Sequence, residues 1–172
     1  MKKMNAIVFE SSGHLLGVVT REAQSDKTLT VEDAAPNGVL IRDGDDATAH
    51  NLIDASQLQV KEVEYDTRAV YRPHRFAEDS GRVAEQNEPP VLQAATIDGT
   101  TLTVNLVNPV VGDTDTWVYI TGCTLSEPIS RTVTILDTES SATVNQTLGG
   151  GSYHVTLFVR GFRTLIQPQV DL

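Results

Sequence analysis

Residues 152–160 read SYHVTLFVR. Tyr153, Val155, Leu157 and Val159 fall on one side of an extended chain, and Ser152, His154, Thr156, Phe158 and Arg160 on the other, the two-residue period of a strand with a buried face. Gly149-Gly150-Gly151 before it and Gly161 after it let the chain turn sharply at both ends. Further strand-like stretches surround it: Val91 to Ile97, Thr101 to Val107, Thr116 to Thr121, Arg131 to Leu136, Ala142 to Leu148 and Thr164 to Val170. Asp98-Gly99 is a hairpin signal between the first two, and Asp113 to Asp115 is a turn before the third. Leu102, Val104 and Leu106 share a face, as do Trp117 and Tyr119, with Val118 and Ile120 opposite. Short strands spaced by Gly, Pro and Asp turns predict a sandwich over residues 91–172.

The first half is also strand-like, so the whole chain is expected to be all-β. Ala6 to Glu10 (AIVFE), the turn Ser11-Ser12-Gly13 and Leu15 to Thr20 (LLGVVT) form a hairpin pattern. Gln24 to Lys27 is a turn, Thr28 to Val31 (TLTV) alternates as a third strand, and Pro36-Asn37-Gly38 turns into Val39-Leu40-Ile41. This predicts a small meander or barrel-like domain over residues 1–66. Within it, Ala47 to Leu58 is expected to hold one or two helical turns with Leu52, Ile53 and Leu58 inward, and Gln59 to Tyr65 a further strand.

Residues 67–90 differ in kind. Arg68, Arg72, His74, Arg75 and Arg82 cluster beside Tyr71 and Phe76, and Pro73 forbids a continuous helix. Arg, Tyr and Phe are prominent in protein interfaces, so these seven residues are the candidate docking arm, within a connector that ends at Pro89-Pro90. The plainer reading pairs the same arginines with neighbouring carboxylates.

Composition narrows the function. The formal charge is −10, with 13 basic and 23 acidic residues in 172. Before Pro89 lie ten basic and sixteen acidic residues and after it three and seven, so both halves are net negative and neither offers the basic stripe that nucleic acid requires. One cysteine, Cys123, excludes an internal disulfide and a cysteine zinc cluster. The apolar run after Lys2-Lys3 is broken by Glu10, Ser11, Ser12 and His14 and lacks a cleavage site, so no export signal is expected and the protein is expected to stay in the cytoplasm where it is made. No apolar run is long enough to span a bilayer.

No constellation for chemistry emerges. His14, His50, His74 and His154 are dispersed, and no Gly-x-Ser-x-Gly elbow presents a nucleophile. The triple glycine lacks the lysine and Ser/Thr of a phosphate loop. Asp43, Asp45 and Asp46 suggest calcium, but Ala47, Thr48 and Asp54 break the calcium-loop template. No catalytic residue, cofactor or metal is expected.

Gly-Ser-Tyr-His-Val at residues 151–155 resembles the Gly-x-Tyr-x-Val approach to the sixth strand of bacterial and phage immunoglobulin-like and fibronectin-like modules. The resemblance implies that Tyr153 closes a corner by hydrogen-bonding back to the backbone, and that Trp117 on the third strand is buried. Val155 and one of Leu102, Val104 or Leu106 stand where antibody domains carry their disulfide. In domain order the whole chain also resembles bacteriophage head decoration proteins. That likeness implies a non-enzymatic virion structural protein, present in several copies or as a homo-oligomer, which decorates or cements a major capsid or other repeated lattice protein, with no nucleic acid or membrane partner. The alternative is a carbohydrate- or surface-binding module, for which Trp117, Tyr119, Phe158 and Phe162 are the available aromatic residues.

Overall fold

The computed structural model of the protein describes residues 2–20, 28–42, 49–88, 93–98, 101–167 and 169–172. The fold is all-β, with short helical turns. The chain divides into two units: the first comprises Met1–Ile41, Leu52–Glu88 and Gly161–Arg163, the second Arg42–Asn51, Pro89–Arg160 and Thr164–Leu172. The expected turns at Gln24 to Lys27 and Gly99, the carboxylates Asp43, Asp45 and Asp46, and the prolines at 89–90 lie outside the described residues.

In the first unit, strand β1 (Lys3–Phe9) pairs antiparallel with β2 (Leu15–Val19), as the sequence pattern indicates. The expected third strand at Thr28 to Val31 is instead a helix start. Thr30 accepts the Asp33 amide and Asp33 reaches back to the Thr30 amide, a capping box that opens α1 (Val31–Ala34). β3 (Val39–Arg42) and β4 (His50–Ile53) pair as a two-stranded sheet, and Arg42–Asn51 belongs to the second unit. Among the described residues of the Ala47 to Leu58 stretch, the expected helical turns are confined to a 3-10 turn at Ala55–Gln57, because His50–Ile53 is extended and alternates: Asn51 and Ile53 are buried while Leu52 is exposed. β5 (Leu58–Glu64) pairs with β1, giving the sheet order β2-β1-β5 rather than a meander.

Residues 67–88 are not a connector but part of this unit. Helix α2 (Thr67–Tyr71), a 3-10 turn at Pro73–Arg75 and the hairpin β6 (Phe76–Asp79) and β7 (Arg82–Glu85) follow without a break. Ala69 and Phe76 are fully buried with Met4, Ala6, Val8, Leu15 and Val63, so this segment covers the apolar face of the small sheet. A three-stranded sheet alone buries too little to be stable, and its missing layer is supplied here. Gly13, at φ +73, sits where any Cβ would meet the Glu78 carbonyl at 3.0 Å, and the Glu78 amide donates to the Gly13 carbonyl at 2.8 Å.

The second unit has two sheets. β8 (Gln93–Asp98), β9 (Thr101–Asn105) and β12 (Ser141–Asn145) form one, in the order β12-β9-β8. β10 (Thr114–Gly122), β11 (Ile129–Ile135), β13 (Ser152–Val159), β14 (Leu165–Ile166) and β15 (Val170–Asp171) form the other, in the order β11-β10-β13-β14 with β15 also on β13. The single last strand expected from the sequence is thus two short ones on either side of Pro168, a residue with no amide to donate to a ladder. β11 and β12, one from each sheet, lie side by side.

Register separates the faces of the central pair. Trp117, Tyr119 and Thr121 lie opposite Phe158, Thr156 and His154, whereas Thr116, Val118, Ile120 and Gly122 lie opposite Val159, Leu157, Val155 and Tyr153. The second face is buried except at half-buried Gly122, matching Leu102 and Val104 of β9, as in packed sheets. Trp117 is buried, but on the face opposite Tyr153 and Val155. Tyr153 is fully buried, and its hydroxyl donates to the Gly149 carbonyl at 2.6 Å and meets the Thr124 hydroxyl at 2.8 Å.

Candidate docking surface

Helix α2 begins where the Asp66 carboxylate accepts the Arg68 amide at 2.8 Å, and ends at Arg72, because a residue before proline is driven out of the helical region. Arg72 takes φ −141° and ψ 60°, and Pro73 starts the 3-10 turn. This break divides the seven sequence candidates. Phe76 points into the core at 1% exposure and contributes no surface, which corrects its place in the docking arm. Tyr71 points outward at 79% exposure, with Arg72 and His74 exposed beside it. Arg75 is half-buried; its carbonyl accepts the Gln86 amide, tying the turn to the end of β7, while its Nε is buried without a partner.

The charges are unequal in availability. Arg68 is held by Asp66 at 2.8 Å and Glu85 at 3.1 Å, and lies over the Phe76 ring at 5.5 Å. Its hydrogen bond holds the Asp66 carboxyl below the usual range. Arg82 pairs with Glu64 at 3.5 Å and stands at the turn end of the β6–β7 hairpin, about 10 Å along the strand from Phe76's partner Glu85. The Arg72 guanidinium makes no hydrogen bond or ion pair among the described residues, although the Arg72 amide closes the helix on the Arg68 carbonyl. The compact surface is therefore Tyr71, Arg72 and His74, flanked by Arg75.

That corner is fixed from below. Burial pushes the Glu78 carboxyl up, but the Gly81 amide at 2.8 Å and Lys61 at 2.5 Å outweigh it, so Glu78 stays below its ordinary value and anchors the β6–β7 turn. Buried His14 meets the Ser12 hydroxyl through Nδ1 and the Phe162 carbonyl through Nε2, both at 2.8 Å, so Nε2 carries the proton. Arg163 binds Glu88 at 2.8 Å and Glu85 at 3.7 Å.

A second polar cluster lies within the second unit, at residues that were not among the sequence candidates. Asn51 is fully buried; its amide nitrogen donates to Thr156 Oγ1 at 3.0 Å, the His154 carbonyl at 3.2 Å and the Tyr119 carbonyl at 3.4 Å, and its oxygen accepts from Thr121 Oγ1 at 2.6 Å. The His50 and His154 rings lie 4.3 Å apart, and burial first, then the His50 neighbour, lowers the His154 pKa. An alternating strand with asparagine at one inward position was the only available hint. Cys123 is exposed on the turn after β10.

Among the described residues no group of three or more His, Cys, Asp or Glu side chains is placed to hold a metal ion. No helix among them is long and apolar enough to cross a membrane. No protein-family model matches the chain, and no curated protein matches it.

Proposed function

We propose that the chain is a non-enzymatic structural protein of a virion or related particle, held in several copies on a repeated protein lattice such as a phage capsid, with the Tyr71–Arg72–His74 corner as its docking contact. The observation that carries this reading is the exposure of Tyr71 beside an unpaired Arg72 on a corner anchored to the core by Ala69 and Phe76. Tyrosine and arginine dominate interface hot spots, and a rigid platform reduces the entropy lost on binding. The expected partner surface is acidic and partly apolar.

The second unit is proposed to be an immunoglobulin- or fibronectin-like sandwich. Its first, second and fifth strands share one sheet and its third, sixth and seventh the other, the partition of that fold, with the fourth joining the third. The Tyr153 bond to Gly149 supports the same reading. For the carbohydrate alternative, Trp117, Tyr119 and Phe158 are buried and Phe162 is half-buried, so they offer no exposed stacking platform.

The test is sedimentation of the protein from its native source, with mass spectrometry of whatever travels with it. Co-migration with megadalton particles, abolished by Tyr71→Ser with Arg72→Glu while the circular dichroism spectrum stays unchanged, is the expected result. Migration as a small free species overturns the proposal.

A further inference from the structure

The second unit carries an apolar surface that its own fold does not cover. The segment between β9 and β10 and the turn between β11 and β12 lie together: the Val110 amide donates to the Glu139 carbonyl at 2.9 Å, and the Thr138 amide to the Val110 carbonyl at 3.0 Å. The Gly112 amide donates to Asp137 Oδ1 at 2.7 Å, and the Asp137 amide to Asp113 Oδ1 at 2.9 Å. These bonds fix the loops while leaving Val111 99% exposed, Leu136 59% and Val107 51%. All three exposed aliphatic residues stand on or at the ends of these two bonded loops, and exposed apolar surface gathered in one region marks an interaction site.

The same two loops are acidic. Asp113, Asp137 and Glu139 stand on them, Asp113 and Asp137 each accepting a backbone amide through one oxygen; Asp115 is already paired with Arg160 at 3.0 Å, and Arg131 lies further along β11, opposite Val118. The first unit presents the reverse combination: one exposed aromatic ring, Tyr71, beside Arg72 without an internal partner. Apolar surface on acidic loops of one unit and apolar surface with a cation on the other are complementary.

We infer that the Val107–Val111–Leu136 patch of one molecule docks on the Tyr71–Arg72 corner of a second copy of this chain. The inference rests on the reading of that corner as a docking contact and names its partner as a neighbouring copy rather than the underlying lattice subunit. Because the two surfaces differ, the contact is head-to-tail: it propagates from copy to copy and closes only where the geometry of the particle closes it. It is small beside a stable binary interface, so it acts on copies that a lattice already holds side by side.

The test is disulfide trapping in full-length chains carrying Cys123→Ser. Chains with Tyr71→Cys are mixed with chains carrying Val111→Cys and oxidised at up to about 1 mM, the effective concentration reached by tethered neighbours. The expected result is a mixed dimer that forms at least tenfold faster than either homodimer. Arg72→Glu should suppress it, and Glu139→Arg in the other chain should restore it. Equal rates for mixed and like pairs overturn the inference. If trapping fails while Arg72→Glu still releases the protein from native particles, the corner docks on a different protein; if Arg72→Glu changes neither, the docking reading fails as well.

Discussion

β13 and residues 67–88 are each central to one unit, and they encode structure differently. In β13 Tyr153, Val155, Leu157 and Val159 enter the core as the set that alternation picks out, although Thr156 and Phe158 are buried too, which corrects the expectation of a single buried face. In 67–88 neighbouring residues of similar character part company: Phe76 is buried, Tyr71 is exposed, and Pro73 between them redirects the chain. A periodic segment states through its pattern which residues share a face. An aperiodic one states it only through its surroundings.

The largest test of that contrast sits on the two aromatic residues of the aperiodic segment. Phe76→Ala should lower stability by about 3–5 kcal/mol, whereas Tyr71→Ala should stay within about 0.5 kcal/mol, both read from urea unfolding midpoints. Equal effects would mean that the segment is a surface arm after all.

The next concerns a polar residue that no pattern announces. Asn51→Leu removes four hydrogen bonds and leaves the Thr121 and Thr156 hydroxyls without that partner, which should cost about 2–3 kcal/mol. A neutral result in thermal unfolding would show that Asn51 merely fills space. In the periodic strand, Tyr153→Phe keeps the ring and loses the bonds to Gly149 and Thr124, a smaller loss of about 1–2 kcal/mol. No change in the unfolding midpoint would discard the corner role of the hydroxyl.

The smallest expected effect is on pH. An unfolded histidine takes up its proton near pH 6.5, and burial with His50 beside it holds folded His154 below that value. Between the two values the unfolded chain binds more protons, so stability is fully present above about pH 6.5 and declines as pH falls through that window. Asp54, Asp66 and Asp171, whose folded carboxyls are depressed, lose their contributions only below about pH 4. His154→Gln should therefore flatten the stability profile between pH 7 and 5; identical slopes would remove His154 as its cause.

These contrasts also explain what the sequence could disclose. The strands of residues 91–172 were legible because alternation and turn residues act locally, and each predicted stretch overlaps an observed strand. The Thr28 to Val31 stretch alternates equally well, but a side-chain capping bond between Thr30 and Asp33 turned it into a helix start. The arginine cluster was visible as composition, yet nothing local showed that Arg68 and Arg82 have carboxylate partners while Arg72 has none. Asn51 and His14 were invisible for a simpler reason: the Asn51 partners lie 68 to 105 positions away, and beyond nearby Ser12 the His14 ring reaches Phe162, 148 positions away.

The exchange of segments between the two units sets an order of assembly. The first unit includes Gly161–Arg163, and the second includes Arg42–Asn51. On a ribosome, residues 1–88 emerge first but wait for residue 163 before His14 and Asn87 can find their partners in that segment. The second unit, made later, finds its borrowed segment already synthesised. Cutting the gene at Pro89 should yield two fragments that each lack a piece of themselves, and mixing the fragments should recover what neither has alone.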